Sequence, residues 1–140
     1  MILRFTLLLA LIALVGCDTA PQSGFSITEA QVRGLIPGSD KTVGYVRISN
    51  ASDRVRALVG AEAAGVGAIE IHTTQEVDGL MRMRRLERIE IPAGGEIVLE
   101  TGGHHLMLFR VDALLDPLPV TLVFEDGQRL THPFAVAPIL

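Results

Sequence analysis

Cysteine is almost missing: Cys17 stands alone among 140 residues, and there is no tryptophan. A disulfide scaffold, a thiolate zinc site and an iron–sulfur cluster each need more thiols than that. Surplus positive charge is missing too. Twelve Lys and Arg against 16 Asp and Glu leave a net charge of −4, or −5 once Arg4 departs with an export signal. Nucleic-acid binding asks for a concentrated basic footprint, so that class is excluded. No apolar run reaches the about 20 residues needed to span a bilayer as a helix. Apolar residues at 49% and charged residues at 20% exclude disorder. Catalytic signatures are equally scarce, with no Gly-x-Ser-x-Gly elbow, no Gly-rich phosphate loop and no His-Glu-x-x-His pair. No residue asks for an enzyme.

What is there begins with an address. Arg4 precedes an apolar run from Phe5 to Val15, broken only by Thr6, whose length suits the centre of a secretory signal. The run ends in Leu14-Val15-Gly16-Cys17, which resembles a bacterial lipobox, where the thiol is acylated and becomes the new N-terminus. The chain then divides into a signal peptide (1–16), an acylated Cys17 with a tether (17–24) and one domain (25–140). Acylation consumes the only thiol, leaving Cys17 no part as nucleophile or metal ligand. Several acyl chains hold a protein at a membrane far better than one. Asp18 after the cysteine implies, by the same resemblance, retention at the periplasmic face of the inner membrane rather than at the outer membrane. The small, polar tether reaches roughly 15 Å.

From Phe25 onward the pattern is short β-type runs between turn residues, without a sustained helical period. The runs are Val43–Ser49, Val55–Ala61, Ala68–His72, Met81–Leu86, Glu96–Leu99, His105–Val111, Val120–Phe124 and Gln128–Val136. Turn signals such as Asp78-Gly79, Gly102-Gly103 and Asp126-Gly127 separate them. Residues Ile27–Ile36 alone suggest a turn or two of helix. The expectation is an all-β, antiparallel sandwich of about eight strands.

Methionine and histidine are unevenly placed. With Met1 lost in the signal, Met81, Met83, Met107, His72, His104 and His105 all fall between positions 72 and 107, and His132 alone lies outside. Alternation along a strand puts Met81 and Met83 on one face, and His105 and Met107 on one face, with His104 pointing the other way. Neighbouring strand ends can direct His72, Met83, His105 and Met107 to one point. Thioethers are soft and do not ionise, so with two imidazoles they favour Cu(I) and offer little to zinc, magnesium or calcium. A blue-copper centre needs a Cys thiolate, and none is free. That selects copper handling over electron relay.

The order His72, ten residues, Met83, twenty-one residues, His105, one residue, Met107 resembles the signature of the periplasmic PCuAC copper chaperones. Surrounding text is similar as well: Glu70-Ile71-His72, Asp78-Gly79-x-Met81-x-Met83-Arg84, Ile91-Pro92-Ala93-Gly94-Gly95, Gly102-Gly103-x-His105-x-Met107-Leu108, and Gly44-Tyr45-Val46 leading to Asn50. The resemblance implies a cupredoxin-like β-sandwich binding one Cu(I) through those four residues, with Cu(II) left open. It further implies delivery to the CuA subunit of cytochrome c oxidase, alongside Sco-type copper and thiol proteins. Met81 stands either as an extra ligand or as apolar rim, the rim being favoured. Two departures stand out: no Met follows the first His between Thr73 and Val77, and the chain lacks a His/Met-rich tail. The competing reading is a metal-free structural or interaction lipoprotein of the envelope. Arg82, Arg84, Arg85 and Arg88 read as a solvated strand face, or more sharply as a docking patch for an acidic acceptor.

Overall fold

The computed structural model describes residues 24–139. The signal segment 1–16, Cys17, the tether up to residue 23 and Leu140 lie outside the described residues. Ten strands follow one another: β1 (Phe25–Arg33), β2 (Lys41–Asn50), β3 (Arg56–Glu62), β4 (Val66–Val77), β5 (Leu80–Leu86), β6 (Ile89–Ile91), β7 (Glu96–Leu99), β8 (His104–Val111), β9 (Leu118–Phe124) and β10 (Arg129–Ala137). The fold is all-β, and each of the eight expected runs falls on a strand.

Two strands were not expected. Ile27–Ile36 does not turn helically; β1 runs through it, paired antiparallel with β2 and parallel with β10. The register shifts between Thr28 and Gln31, where Glu29 has a φ of 52°, so a bulge breaks the alternation that would have announced a strand. Strand β6 has only three residues, too few for a period to register. Strand β4 is also longer than expected, so His72 sits in its middle rather than at its end.

Pairing runs β4-β8-β2-β1-β10-β9-β3, and Ala61 of β3 bridges Ile69 of β4, so the sandwich closes on itself like a barrel. Strand β2 shows why these residues take this form. Thr42, Gly44, Val46, Ile48 and Asn50 point inward in strict alternation. The interior is apolar, with Ile48, Leu58, Leu106, Leu108, Leu122, Phe124 and Phe134 all closed to solvent. Each such side chain contributes about 1.5–3 kcal/mol by leaving water. Asn50 is buried yet satisfied: its amide donates to the carbonyls of Arg54, Ile91 and Pro92, while its oxygen accepts from Ser52. It ties the 50–54 turn to the β6–β7 turn.

Strand β5 lies outside the closed ring and, among the described strands, is hydrogen-bonded to β4 alone. The β4–β5 connection is two residues, Asp78 and Gly79, with φ values of 54° and 75°. Both being positive marks the turn whose twist matches a hairpin, and it fixes Val77 opposite Leu80. That turn sets the register of everything downstream on β5.

Candidate metal centre

Three adjacent strands, β5, β4 and β8, carry the residues singled out by their spacing. His72 on β4 is paired directly with His105 on β8, so both imidazoles leave the same face of the sheet. Glu70 opposes Met107 on that face, and Thr74 opposes Met83. Alternate residues Ile71, Leu106 and Leu108 point the other way, into the core. Met83 is thus one strand and two residues from His72, a diagonal of about 7–8 Å that a long side chain spans. Met107 is two residues from His105, about 7 Å along β8. The expected faces are therefore the observed ones.

The imidazoles sit with their ring centres 6.0 Å apart, tilted at 48°. His72 Nε2 lies 2.8 Å from a Glu70 carboxylate oxygen. An ionised carboxylate only accepts, so Nε2 carries a proton, and Nδ1 is the nitrogen left to offer a lone pair. His105 Nδ1 lies 3.1 Å from the Gly103 carbonyl, which likewise only accepts, so the lone pair there is at Nε2. Both lone-pair atoms, His72 Nδ1 and His105 Nε2, are closed to solvent and have no hydrogen-bond partner among the described residues. Unpaired buried polar atoms are costly and call for an explanation. An ion supplies one. A nitrogen bound at about 2 Å puts its ring centre about 3 Å from the metal, so two rings sharing an ion have centres up to roughly 6 Å apart.

Electrostatics agree with a neutral ring at His105. Burial pushes the His105 pKa below its ordinary 6.5, against a smaller opposite pull from the Gly103 hydrogen bond. Hydrogen bonding from His72 holds the Glu70 carboxyl below the usual carboxylate range, helped by the charge of Arg85, whose Nη1 is 3.7 Å away. Among the described residues no three His, Cys, Asp or Glu side chains are grouped to hold a metal. The same face carries the thioethers of Met83 and Met107, and thioethers together with imidazoles are the donor chemistry of Cu(I).

Exposure grades the four residues. His105 is 4% exposed, His72 and Met107 are partly buried, and Met83 is 54% exposed at the outer strand. Met81 opposes Glu76, four residues along the ladder from the level of His72, or about 13 Å, and is 63% exposed. It shares the face of Met83 and belongs to the rim. His104 pairs with Thr73 on the opposite face, and its Nδ1 is another unpartnered buried atom. His132 is on β10, between β1 and β9, away from this sheet region.

Two residues of the site escaped sequence reading. Glu70 is the hydrogen-bond partner of His72, and its signal was a carboxylate two positions before a histidine on one strand. Phe109, with its ring centre 6.0 Å from that of His72, walls the same face. The basic stretch proves divided: Arg88 pairs with Glu125 and Glu90, Arg85 with Glu70, and Arg84 hydrogen-bonds Gln75.

The family described as "Putative lipoprotein LpqE-like" matches residues 25–136. A relative named "Putative lipoprotein Lxx21020", from Leifsonia xyli subsp. xyli, is 31% identical over 117 residues, covering 81% of this chain and 68% of its own. Among solved structures, the copper-bound PCuAC domain from PmoF2 matches with a TM-score of 0.69 at 21% identity, over 83% of this chain and 94% of that domain. Apo-DR1885 from Deinococcus radiodurans gives 0.64 at 24% identity, over 100% and 96%. The Cu(I) form of DR1885 gives 0.62 at 26% identity, over 87% and 82%. The fold is that of PCuAC domains.

Proposed function

We propose, for a chain that belongs to the LpqE-like lipoprotein family, the work of a Cu(I) metallochaperone tethered to the periplasmic face of the inner membrane. One observation carries it: two imidazoles paired across β4 and β8 whose buried atoms His72 Nδ1 and His105 Nε2 have no partner among the described residues, on a sheet face that also carries two thioethers. Two of the solved neighbours are named as copper-bound or Cu(I) forms, which supports the same reading. The ligands proposed are His72, Met83, His105 and Met107, around one ion. Acylated Cys17 is the anchor. All four donors are neutral, so the bound centre keeps the single charge of cuprous ion, and Glu70 behind His72 offsets it.

Copper is cargo here, and exposure suggests the order of its release. Met83 is on the outer strand and open to solvent, so an incoming donor replaces it first. His105, buried and fixed through Gly103, lets go last. The acceptor in this reading is the CuA subunit of cytochrome c oxidase, with Sco-type thiol proteins as co-workers, and no enzymatic step is involved. Titration of the protein with Cu(I) against a competing chelator tests the assignment. The double variant Met83→Ala, Met107→Ala is expected to lose tight binding while keeping its fold, and X-ray absorption of the loaded wild type is expected to show sulfur beside nitrogen. Full affinity in the double variant would refute the ligand set.

A further inference from the structure

The β4–β5 hairpin and the start of the domain lie at the same end of the molecule. Leu106 of β8 pairs with Gly44 of β2 on one side and with Ile71 of β4 on the other, so these two residues are level. Six residues further along each strand come Asn50 and Val77, and Asn50 pairs with Phe25, the first residue of β1. The chain is pinned there. Ala51 N donates to the Gly24 carbonyl at 2.7 Å, and the Phe25 ring is stacked on Phe124 and covered by the Arg56 guanidinium. Val55, which is exposed, precedes β3 at the same end. The tether thus enters the domain at the same end as the hairpin tip, three strands around the ring from β4.

That tip is dressed for contact. Val77, Leu80 and Met81 flank the turn and are exposed, Leu80 by 60%. Leu80, Arg82 and Arg84 share one face of β5, and Arg82 has no ion pair among the described residues. Between positions 76 and 85 three arginines outnumber Glu76 and Asp78, in a chain whose net charge is −4. Gly24 comes seven positions after Cys17, a reach of roughly 15 Å for a flexible segment. An acyl anchor on Cys17 therefore keeps this end of the domain within about one headgroup layer of the lipid.

We propose that the tip of the β4–β5 hairpin docks on the anionic bilayer that holds the chain, with Val77, Leu80 and Met81 dipping into the interface and Arg82 and Arg84 on lipid phosphates. Apolar side chains at the boundary and arginines near an anionic surface supply the two attractions that peripheral membrane contacts use. Met83, two residues from Met81, then faces the water–lipid boundary, and copper is exchanged along the membrane rather than into bulk periplasm. This inference rests on the lipoprotein reading, since the tether gives the hairpin its local concentration of lipid.

The absence of tryptophan gives a clean probe. The acylated full chain carries either Leu80→Trp at the hairpin or Ile36→Trp, a position 62% exposed in the loop after β1 at the opposite end. Each is placed on vesicles of phosphatidylcholine with phosphatidylglycerol, bearing brominated acyl chains as quencher. Flotation with the vesicles is expected for both. The hairpin probe is expected to be quenched several-fold more than the loop probe, and Arg82→Glu with Arg84→Glu is expected to cut the docked fraction at least about fivefold. Failure to float overturns the anchoring reading and this inference with it. Flotation with equal quenching of the two probes overturns this inference alone, as does quenching indifferent to the arginine changes. Unquenched probes together with salt-sensitive copper transfer to a soluble acceptor would assign the arginines to protein docking instead.

Discussion

Removing the Glu70 carboxylate should weaken Cu(I) binding without touching a metal ligand. The carboxylate accepts from His72 Nε2 at 2.8 Å and pairs loosely with Arg85 at 3.7 Å. It thereby holds the ring with Nε2 as donor and Nδ1 as the lone-pair atom, and its charge raises the donor strength of the imidazole. Partners of this kind contribute about 10- to 100-fold to metal affinity. At room temperature that is about 1.4–2.8 kcal/mol. Glu70→Ala loses both the acceptor and the charge and falls in that range. Glu70→Gln keeps an acceptor, and a neutral hydrogen bond is about 1 kcal/mol weaker than a charge-assisted one, so roughly fivefold is lost. The assay is anaerobic competition with a chromogenic Cu(I) chelator, joined to ring-nitrogen chemical shifts in the copper-free protein, which report the protonated nitrogen directly. The expected order is wild type, then Gln, then Ala. An Ala variant with wild-type affinity and an unchanged ring tautomer would show that the ring is held by packing and that the carboxylate is idle.

Other measurements probe neighbouring links. Because burial lowers the His105 pKa from 6.5, its neutral ligand form persists below that pH, and copper release on acidification should be centred under 6.5; a midpoint above it contradicts the assignment. The same shift makes the unfolded chain the better proton acceptor, so the copper-free fold should be fully stable above pH 6.5 and lose stability as pH falls from 6.5 toward the folded value, as seen by denaturant titration. Gly79→Ala forces a side chain into a φ of +75°, costing about 1–2 kcal/mol; amide exchange along β5 should quicken by about tenfold and copper affinity should drop, with both unchanged if the hairpin does not order Met83. His132→Ala, on β10, should leave the chelator competition curve where it was.

The strands of this protein are legible where alternation is clean. In β2 and β9 every second residue is buried, and the runs read from sequence end within two residues of the observed strands. Strand β1 is hidden because Glu29 in a bulge shifts the parity halfway, and ring closure through the single β3–β4 bridge leaves no mark in local pattern. The ligand candidates are legible because each strand has a period of two, which already assigns His105 and Met107 to one face. Parity within a strand says nothing of which strands are neighbours, so it cannot bring the four residues together. Their placement on one face of three adjacent strands depends on the pairings of His72 with His105, Glu70 with Met107 and Thr74 with Met83. Glu70 is visible as a letter but not as a partner, since a side chain's hydrogen bond depends on rotamers that sequence does not report.

The two-residue turn at Asp78-Gly79 has a consequence for how such proteins diverge. All ten residues between His72 and Met83 belong to the hairpin, five before the two-residue turn and three after it, with no slack to absorb a change in length. Gaining or losing one residue there would carry the sulfur of Met83 to the reverse side of the ribbon. The twenty-one residues between Met83 and His105 pass through β6, β7 and three connections, where extra loop is readily accommodated. Lineages that keep the copper site should therefore show a frozen first interval and an elastic second one.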